Sequence, residues 1–569
     1  MNFKRNLMAC SALVGVCFLL PASAGAQSMS DAEKIQKLER QTELLQRQSE
    51  LLQRQLKEVK EELARTRKTE AKAQPNPAAE PASVAATAAA SVAASVPVPL
   101  TKGLPPPPVE KVKLTVGGFL AAETVWRQRN EVADIGSNFG AIPYPFSPLY
   151  NENEFHGTAR QSRISLLVEG NIDPWQKLSG YYETDFLGVG TTSNYNQSNS
   201  WAARLRQAYF TYDNSGYGFH FLAGQTWSLL TQNQVGITPR KENIPLTIDA
   251  NYVVGFNYTR NWQVRFVQEF GPGVSLGISV ESPAAIIAAS TATTPLGGGG
   301  TFASGGIVNG LVVNFNNPGS SFLTGATITT DDAPDIIEKA AFDPGWGHYE
   351  TFGVQRWFTD NTLSCLPFAC VAGSTTQVGN PATKTAFGAG VGGSMLLPLI
   401  PKYLEFTGSV LYGQGVGRYA AGQLPDATIA IDGSLTPLTG LSAMVGLIGH
   451  PWEGLDVYAY AGIEQVNANF FQVGTNLFGY GNPGFSNAAC SFATPNSFAG
   501  ATPANCIANN RRLSDVTVGF WQNLYKGAYG RVALGAQYEY IKRESFDGVG
   551  GSVSTDDNIV LTSLRYYPF

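Results

Sequence analysis

From Val109 to Phe569 the chain changes polarity at almost every second residue, and no other property narrows its possible folds as much. In Lys177–Phe186, Leu178, Tyr182 and Phe186 fall on one face, and Lys177, Glu183 and Asp185 on the other. Val532, Leu534, Ala536, Tyr538 and Tyr540 alternate with Arg531, Gln537 and Glu539, and Trp262, Val264, Phe266 and Phe270 with Gln263, Arg265 and Glu269. A period of two sends successive side chains to opposite faces of a sheet. The alternating runs are joined in turn by short and long connections. The short ones are Asp173–Trp175, Asn214–Gly216, Gly271–Gly273, Asp343–Gly345, Pro398–Pro401, His450–Trp452 and Lys526–Gly527, each rich in the Pro, Gly or Asn that tight reversals favour. Seven such hairpins, with a first strand over 112–126 and a last over 556–569, predict about 16 antiparallel strands. Long and short connections lie at opposite ends.

A sheet of that size with apolar outer faces of Leu, Val, Tyr and Phe reads as a closed all-β barrel facing hydrocarbon. A secreted soluble sandwich would need polar outer faces. Only 15% of the residues are charged, Gly is abundant at 61, and the mean hydropathy is −0.07. This is too polar for a bundle of membrane helices, and no stretch after the short N-terminal apolar run approaches the ~18 apolar residues of a spanning helix.

The first residues point to export. Lys4 and Arg5 precede an apolar run from Leu7 to Leu20, and Ala22-Ser23-Ala24 and Ala24-Gly25-Ala26 offer small-x-small cleavage sites. Residues 1–26 are therefore expected to be a signal peptide. In 31–68, Ile35, Leu38, Thr42, Leu45, Ser49, Leu52, Leu56, Val59 and Leu63 step by 3 and 4, the seam of an α-helical coiled coil. The Ala- and Pro-rich stretch 69–108 cannot build a core and reads as a linker. The barrel is assigned 109–569. In an exported chain the four remaining cysteines read as disulfides, paired by proximity as Cys365 with Cys370 and Cys490 with Cys506.

A 16-strand barrel leaves an aqueous lumen unless loops narrow it, and loops 127–157 and 230–251 are the candidates, the second with Arg240 and Lys241. Alternation turns Arg163, Arg204, Arg206, Arg265 and Arg531 inward; against lipid each would cost roughly 2–4 kcal/mol near the midplane. Two readings stay open. The arginines form a basic eyelet, or they pair with Glu169, Glu183, Asp185 and Glu539 in a wall network. Residues 109–569 carry 25 Lys and Arg against 34 Asp and Glu, a net of −9. No catalytic set emerges: His156, His220, His348 and His450 are scattered, and neither a cofactor nor a metal site is expected.

Signal, coil, proline-rich spacer, barrel and aromatic end together resemble the DcaP-like outer-membrane porins. Pro334-Asp-Ile-Ile-Glu-Lys339, Asp343-Pro-Gly-Trp-Gly-His-Tyr-Glu350 and the ending Arg565-Tyr-Tyr-Pro-Phe569 add to the resemblance. It implies a homotrimer in outer-membrane lipid, coils projecting into the periplasm, and passive passage of small hydrophilic solutes. It also implies a preference for anions such as dicarboxylates through the inward arginines; alternation adds Glu183 and Asp185 as further pore-lining candidates. Two alternatives remain at this stage. One is an envelope anchor whose coil binds peptidoglycan; the other is a sugar- or phosphate-specific channel. Nucleic acid is not an expected partner.

Overall fold

The computed structural model describes residues 112–188, 202–288, 331–364, 380–430, 432–473, 476–493 and 506–569, with four short backbone segments between 306 and 329. The expected signal peptide, coiled coil and linker, and Cys365 with Cys370, lie outside the described residues.

Sixteen wall strands follow one another around a closed ring, each antiparallel to both neighbours. They are β1 (Lys113–Arg127), β2 (Arg163–Asn171), β3 (Gln176–Gly188), β4 (Ala202–Asn214), β5 (Phe219–Trp227), β6 (Arg260–Glu269), β7 (Val274–Glu281), β8 (Asp335–Phe342), β9 (His348–Ser364), β10 (Asn380–Ile400), β11 (Leu404–Gln414), β12 (Thr439–Trp452), β13 (Leu455–Val466), β14 (Asn510–Gly527), β15 (Gly530–Ser545) and β16 (Ser554–Tyr567). The ring closes where β1 pairs with β16, from Leu120 opposite Tyr566 to Arg127 opposite Ile559. Closure leaves no wall strand with an open edge, which hydrocarbon would not tolerate. The segment Glu154–Thr158 continues β2 alongside the outer half of β1, after a break at 159–162.

Outward positions are apolar and exposed, among them Leu166, Leu276, Val445, Val518 and Leu564, while Glu123, Arg206, Gln263, Arg356 and Gln537 are buried inside. Every one of the seven short turns carries or adjoins an exposed aromatic residue: Trp175, Tyr217, Phe270, Trp346, Tyr403, Trp452 and Tyr529, with Phe569 closing the chain at the same rim. Amphipathic rings favour the boundary between hydrocarbon and water, so this circle marks one membrane interface.

Three turns lie slightly beyond their expected positions. β10 runs to Ile400 and reverses after Pro401, β12 runs to Trp452 and reverses at Glu453–Gly454, and β14 runs to Gly527 before Ala528–Tyr529. In the first two cases proline at the end of a strand needs no ladder donor, so β10 and β12 continue through residues that read as breakers.

Candidate functional site

The connection between β5 and β6, residues 228–259, turns into the barrel and crosses it. Its amides and carbonyls are satisfied by inward wall side chains, the partners that a buried loop backbone requires. Asn233 N donates to Glu350 Oε1 at 3.0 Å on β9, and Lys339 Nζ on β8 donates to Thr231 O at 2.7 Å. Farther round, Asn243 Nδ2 donates to Thr407 Oγ1 on β11 at 3.0 Å, and Leu246 N to Tyr460 Oη on β13 at 3.1 Å. Ile248 N donates to Gln537 Oε1 on β15 at 2.6 Å, while Gln161 Nε2, in the break before β2, reaches Ile248 O at 2.5 Å. The segment returns with Val254 N on Asp515 Oδ2 at 3.1 Å and Gly255 N on Glu464 Oε1 at 2.8 Å. There the backbones of loop and wall touch. A Cβ at Gly462 would lie 1.6 Å from Val254 O, and one at Gly255, whose φ is +85°, 2.1 Å from Ala443 O.

Two more connections fold in beside it. In 128–153, Ile135, Phe139 and Ile142 are buried, and Asn251 Nδ2 donates to Ser137 O at 2.6 Å, joining this loop to the crossing segment. In 415–438, which sequence reasoning did not single out, Ala421 N donates to Phe256 O at 3.1 Å, and Tyr258 N to Tyr419 O at 2.9 Å. Arg356 pins that loop through Asp426 Oδ1 at 2.8 Å and the Gly415 carbonyl. Val125, Ile248, Val253, Phe256, Leu424 and Leu513 belong to one apolar core between loops and wall.

The arginines expected in the lumen do point inward, but they do different things. Arg206, buried, donates to Glu183 Oε1 at 2.6 Å and Asp185 Oδ2 at 2.9 Å. Arg204 holds Asp185 with two nitrogens at 3.0 and 2.8 Å, and its side chain remains 36% exposed. Arg163, 25% exposed, approaches Glu183 only to 3.8 Å. Arg265 is 2% exposed and donates to Trp227 O at 2.6 Å, so it braces the wall and lines no passage. Arg531 sits near the short-turn rim with its guanidinium 4.0 Å from the Tyr567 ring.

Arg260, absent from the sequence-derived set because it begins a strand straight after a long loop, completes the group. Its guanidinium lies 4.7 Å from the Trp227 ring and donates to Tyr252 Oη at 3.3 Å, and among the described residues it has no ion pair. Arg163, Arg204 and Arg206 thus face Glu183 and Asp185, three positive charges against two negative, and Arg260 adds a fourth beside Trp227, a ring it shares with Arg206. The carboxylates of the neighbouring strands β14–β16, which adjoin β1 and β2 around the ring, are withdrawn: Asp515 is 2% exposed, and Glu539 and Asp557 are wholly buried. The Glu131 and Asp249 carboxyls of the folded-in loops join them, and burial pushes Glu131 up to about 7 and Asp249 in the same direction.

Cys490 and Cys506 are joined by a disulfide in the connection between β13 and β14, buried against Tyr144 and Val553. The two sulfurs lie well away from the arginine group in sequence and serve the long-loop side of the barrel.

No family model and no curated protein matches the sequence. Among solved structures, the outer membrane channel DcaP of Acinetobacter baumannii is similar with a TM-score of 0.52 at 18% identity, over 80% of this chain and 97% of that one. The anion-selective porin from Comamonas acidovorans gives a TM-score of 0.40 at 10% identity, over 80% of this chain and 100% of its own, too slight a likeness to carry an argument. At these identities the likeness to DcaP speaks for the fold. The closed antiparallel ring and that similarity together give this chain the DcaP-like, porin-type fold.

Proposed function

We propose that this protein is a diffusion porin of the Gram-negative outer membrane that passes small hydrophilic solutes and favours anions. The observation that carries the reading is the asymmetry of accessible charge at the narrowing. Arg163 and Arg204 keep 25% and 36% of their side chains accessible and Arg260 is half-buried, whereas the nearby carboxylates are held by arginine or fully buried. A charge that faces water filters ions, while one sealed in the wall is compensated locally. In this reading the barrel sits in outer-membrane lipid as one of three copies, residues 31–68 bundle in the periplasm, and short dicarboxylates are among the favoured solutes.

Reversal potentials across planar bilayers under a salt gradient test it. Arg260→Ala, and separately Arg204→Ala with Arg206→Ala, shift the potential toward cations, the pair more strongly because Glu183 and Asp185 lose their partners. Unchanged potentials in both variants would refute the role of these arginines.

A further inference from the structure

The crossing segment also shapes the mouth at the short-turn rim. Its hairpin is closed by Gln234 N to Lys241 O and Asn243 N to Gln232 O, both at 2.7 Å, and the Gly236 amide donates to Asp343 Oδ2 in the turn after β8 at 3.0 Å. The hairpin end Thr238–Lys241 and the turns after β2 and β4 enclose a cavity of about 450 Å³.

The acidic groups of this cavity are already occupied. Asp173 accepts from the Trp175 and Gln176 amides, both at 2.8 Å, and Asp213 is held by His220 at 2.8 Å and Thr211 at 3.2 Å. Lys177 is bound to Glu169 at 2.6 Å. The loop's cations are in a different state. Arg240 makes one hydrogen bond, to Tyr209 Oη at 3.3 Å, and among the described residues Lys241 Nζ has neither a hydrogen bond nor an ion pair. Both are exposed, and Arg240 is held at φ +67°, a backbone conformation that residues with a side chain rarely adopt. The hairpin backbone thus presents a guanidinium fork and an ammonium to a cavity whose carboxylates, Asp173 and Asp213, are hydrogen-bonded to other groups and pair with neither. Free charged donors of this kind match doubly charged oxyanions.

We propose that this cavity is a binding station for a small doubly charged oxyanion, inorganic phosphate or a short dicarboxylate, at the mouth beyond the narrowing. The proposal rests on the reading of the barrel as an anion-favouring pore and adds a second site to it. The experiment uses the full-length protein in planar bilayers, with phosphate and succinate added in parallel series to each chamber in turn; the stronger blocker names the class. In Arg240→Gln with Lys241→Gln, current blocking by the anion added on the short-turn side weakens about tenfold, while the reversal potential in potassium chloride stays at the wild-type value. Arg240→Lys with Lys241→Arg retains the blocking. Open-channel conductance at the wild-type level reports that the neutral variant is folded. Blocking unchanged by the neutral pair overturns the station, and so does a parallel loss of anion preference, since the charges would then belong to the general filter. A cation-selective wild-type pore that phosphate still blocks would sink the anion-favouring reading and leave the station standing.

Discussion

Lys339 is sealed from water, and its ammonium is shared among Glu350 Oε1 at 2.9 Å, Thr231 O at 2.7 Å and Asn233 Oδ1 at 3.3 Å. Glu350 also accepts from Ser394 Oγ at 2.5 Å and lies 3.1 Å from His348 Nε2, whose Nδ1 meets Asp343 Oδ1 at 2.7 Å. A chain of charges from Asp343 to Lys339 therefore supports the root of the crossing segment. A buried pair broken on one side leaves the other charge uncompensated, at roughly 3–5 kcal/mol. Lys339→Met should accordingly give a noisy, unstable open level in single-channel recordings, and Lys339→Met with Glu350→Gln, which removes the stranded charge but keeps an acceptor for Asn233 N, should quieten it again. An equally steady current in the single variant would show that the crossing does not depend on this chain of charges. Glu131, in a neighbouring loop, makes a second prediction. Its carboxyl lies 3.7 Å from Arg127 and accepts from Asn138 N at 2.7 Å, yet burial still raises it from 4.5 to about 7. An acid that holds its proton more tightly when folded lends stability in full below about pH 4.5, and that stability is lost as pH rises through about 7. Gating events should become more frequent across that interval, and Glu131→Gln should flatten the dependence.

At the scale of elements, the closest approach is between the crossing backbone and β13, where Gly462 leaves no space for a side chain. Gly462→Ala must push Val253–Gly255 off the wall, an overpacking that costs about 1–3 kcal/mol. The expected result is a changed unitary conductance with an intact barrel, seen as unaltered heat-modifiable migration; an unchanged conductance would place the narrowing elsewhere. The same contacts explain what could be read from the residues alone. β3, β6 and β15 alternate plainly because their inward positions carry Glu183, Arg265 and Glu539. β8 and β9 break the pattern: inward Ile337, Phe352 and Val354 pack against Leu229, Leu230 and Ile237 of the crossing, while outward Glu338 accepts from Gln355 at 3.1 Å. A wall strand covered by a loop has an apolar inner face, and its polarity then no longer tells inside from outside. For that reason alternation alone does not mark Arg356 and Lys339 as inward residues. Of the two loops expected to turn inward, both do; the third, 415–438, had no signal, since its anchors Asp335, Arg356 and Asp426 lie far apart in sequence.

For the whole molecule, net charge proves a poor guide to what a lumen selects. The stretch 109–569 carries a net of −9, yet the lumen-facing charges at the narrowing are positive, because Asp515, Glu539 and Asp557 on β14–β16 are buried. A sum over residues takes no account of burial, and only accessible charge acts on a passing solute. The wall and its circle of seven aromatic turns meet none of this chemistry, for they answer to hydrocarbon and interface alone.

That the crossing segment rests on side chains such as Gln537, Tyr460 and Thr407, and hardly on the ladder itself, separates container from contents. A handful of substitutions at such anchoring points could refit the throat for different cargo while every rung of the enclosing cylinder stays as it is. Changes in diet would then be written in a few inward codons, with the costly business of membrane assembly left untouched.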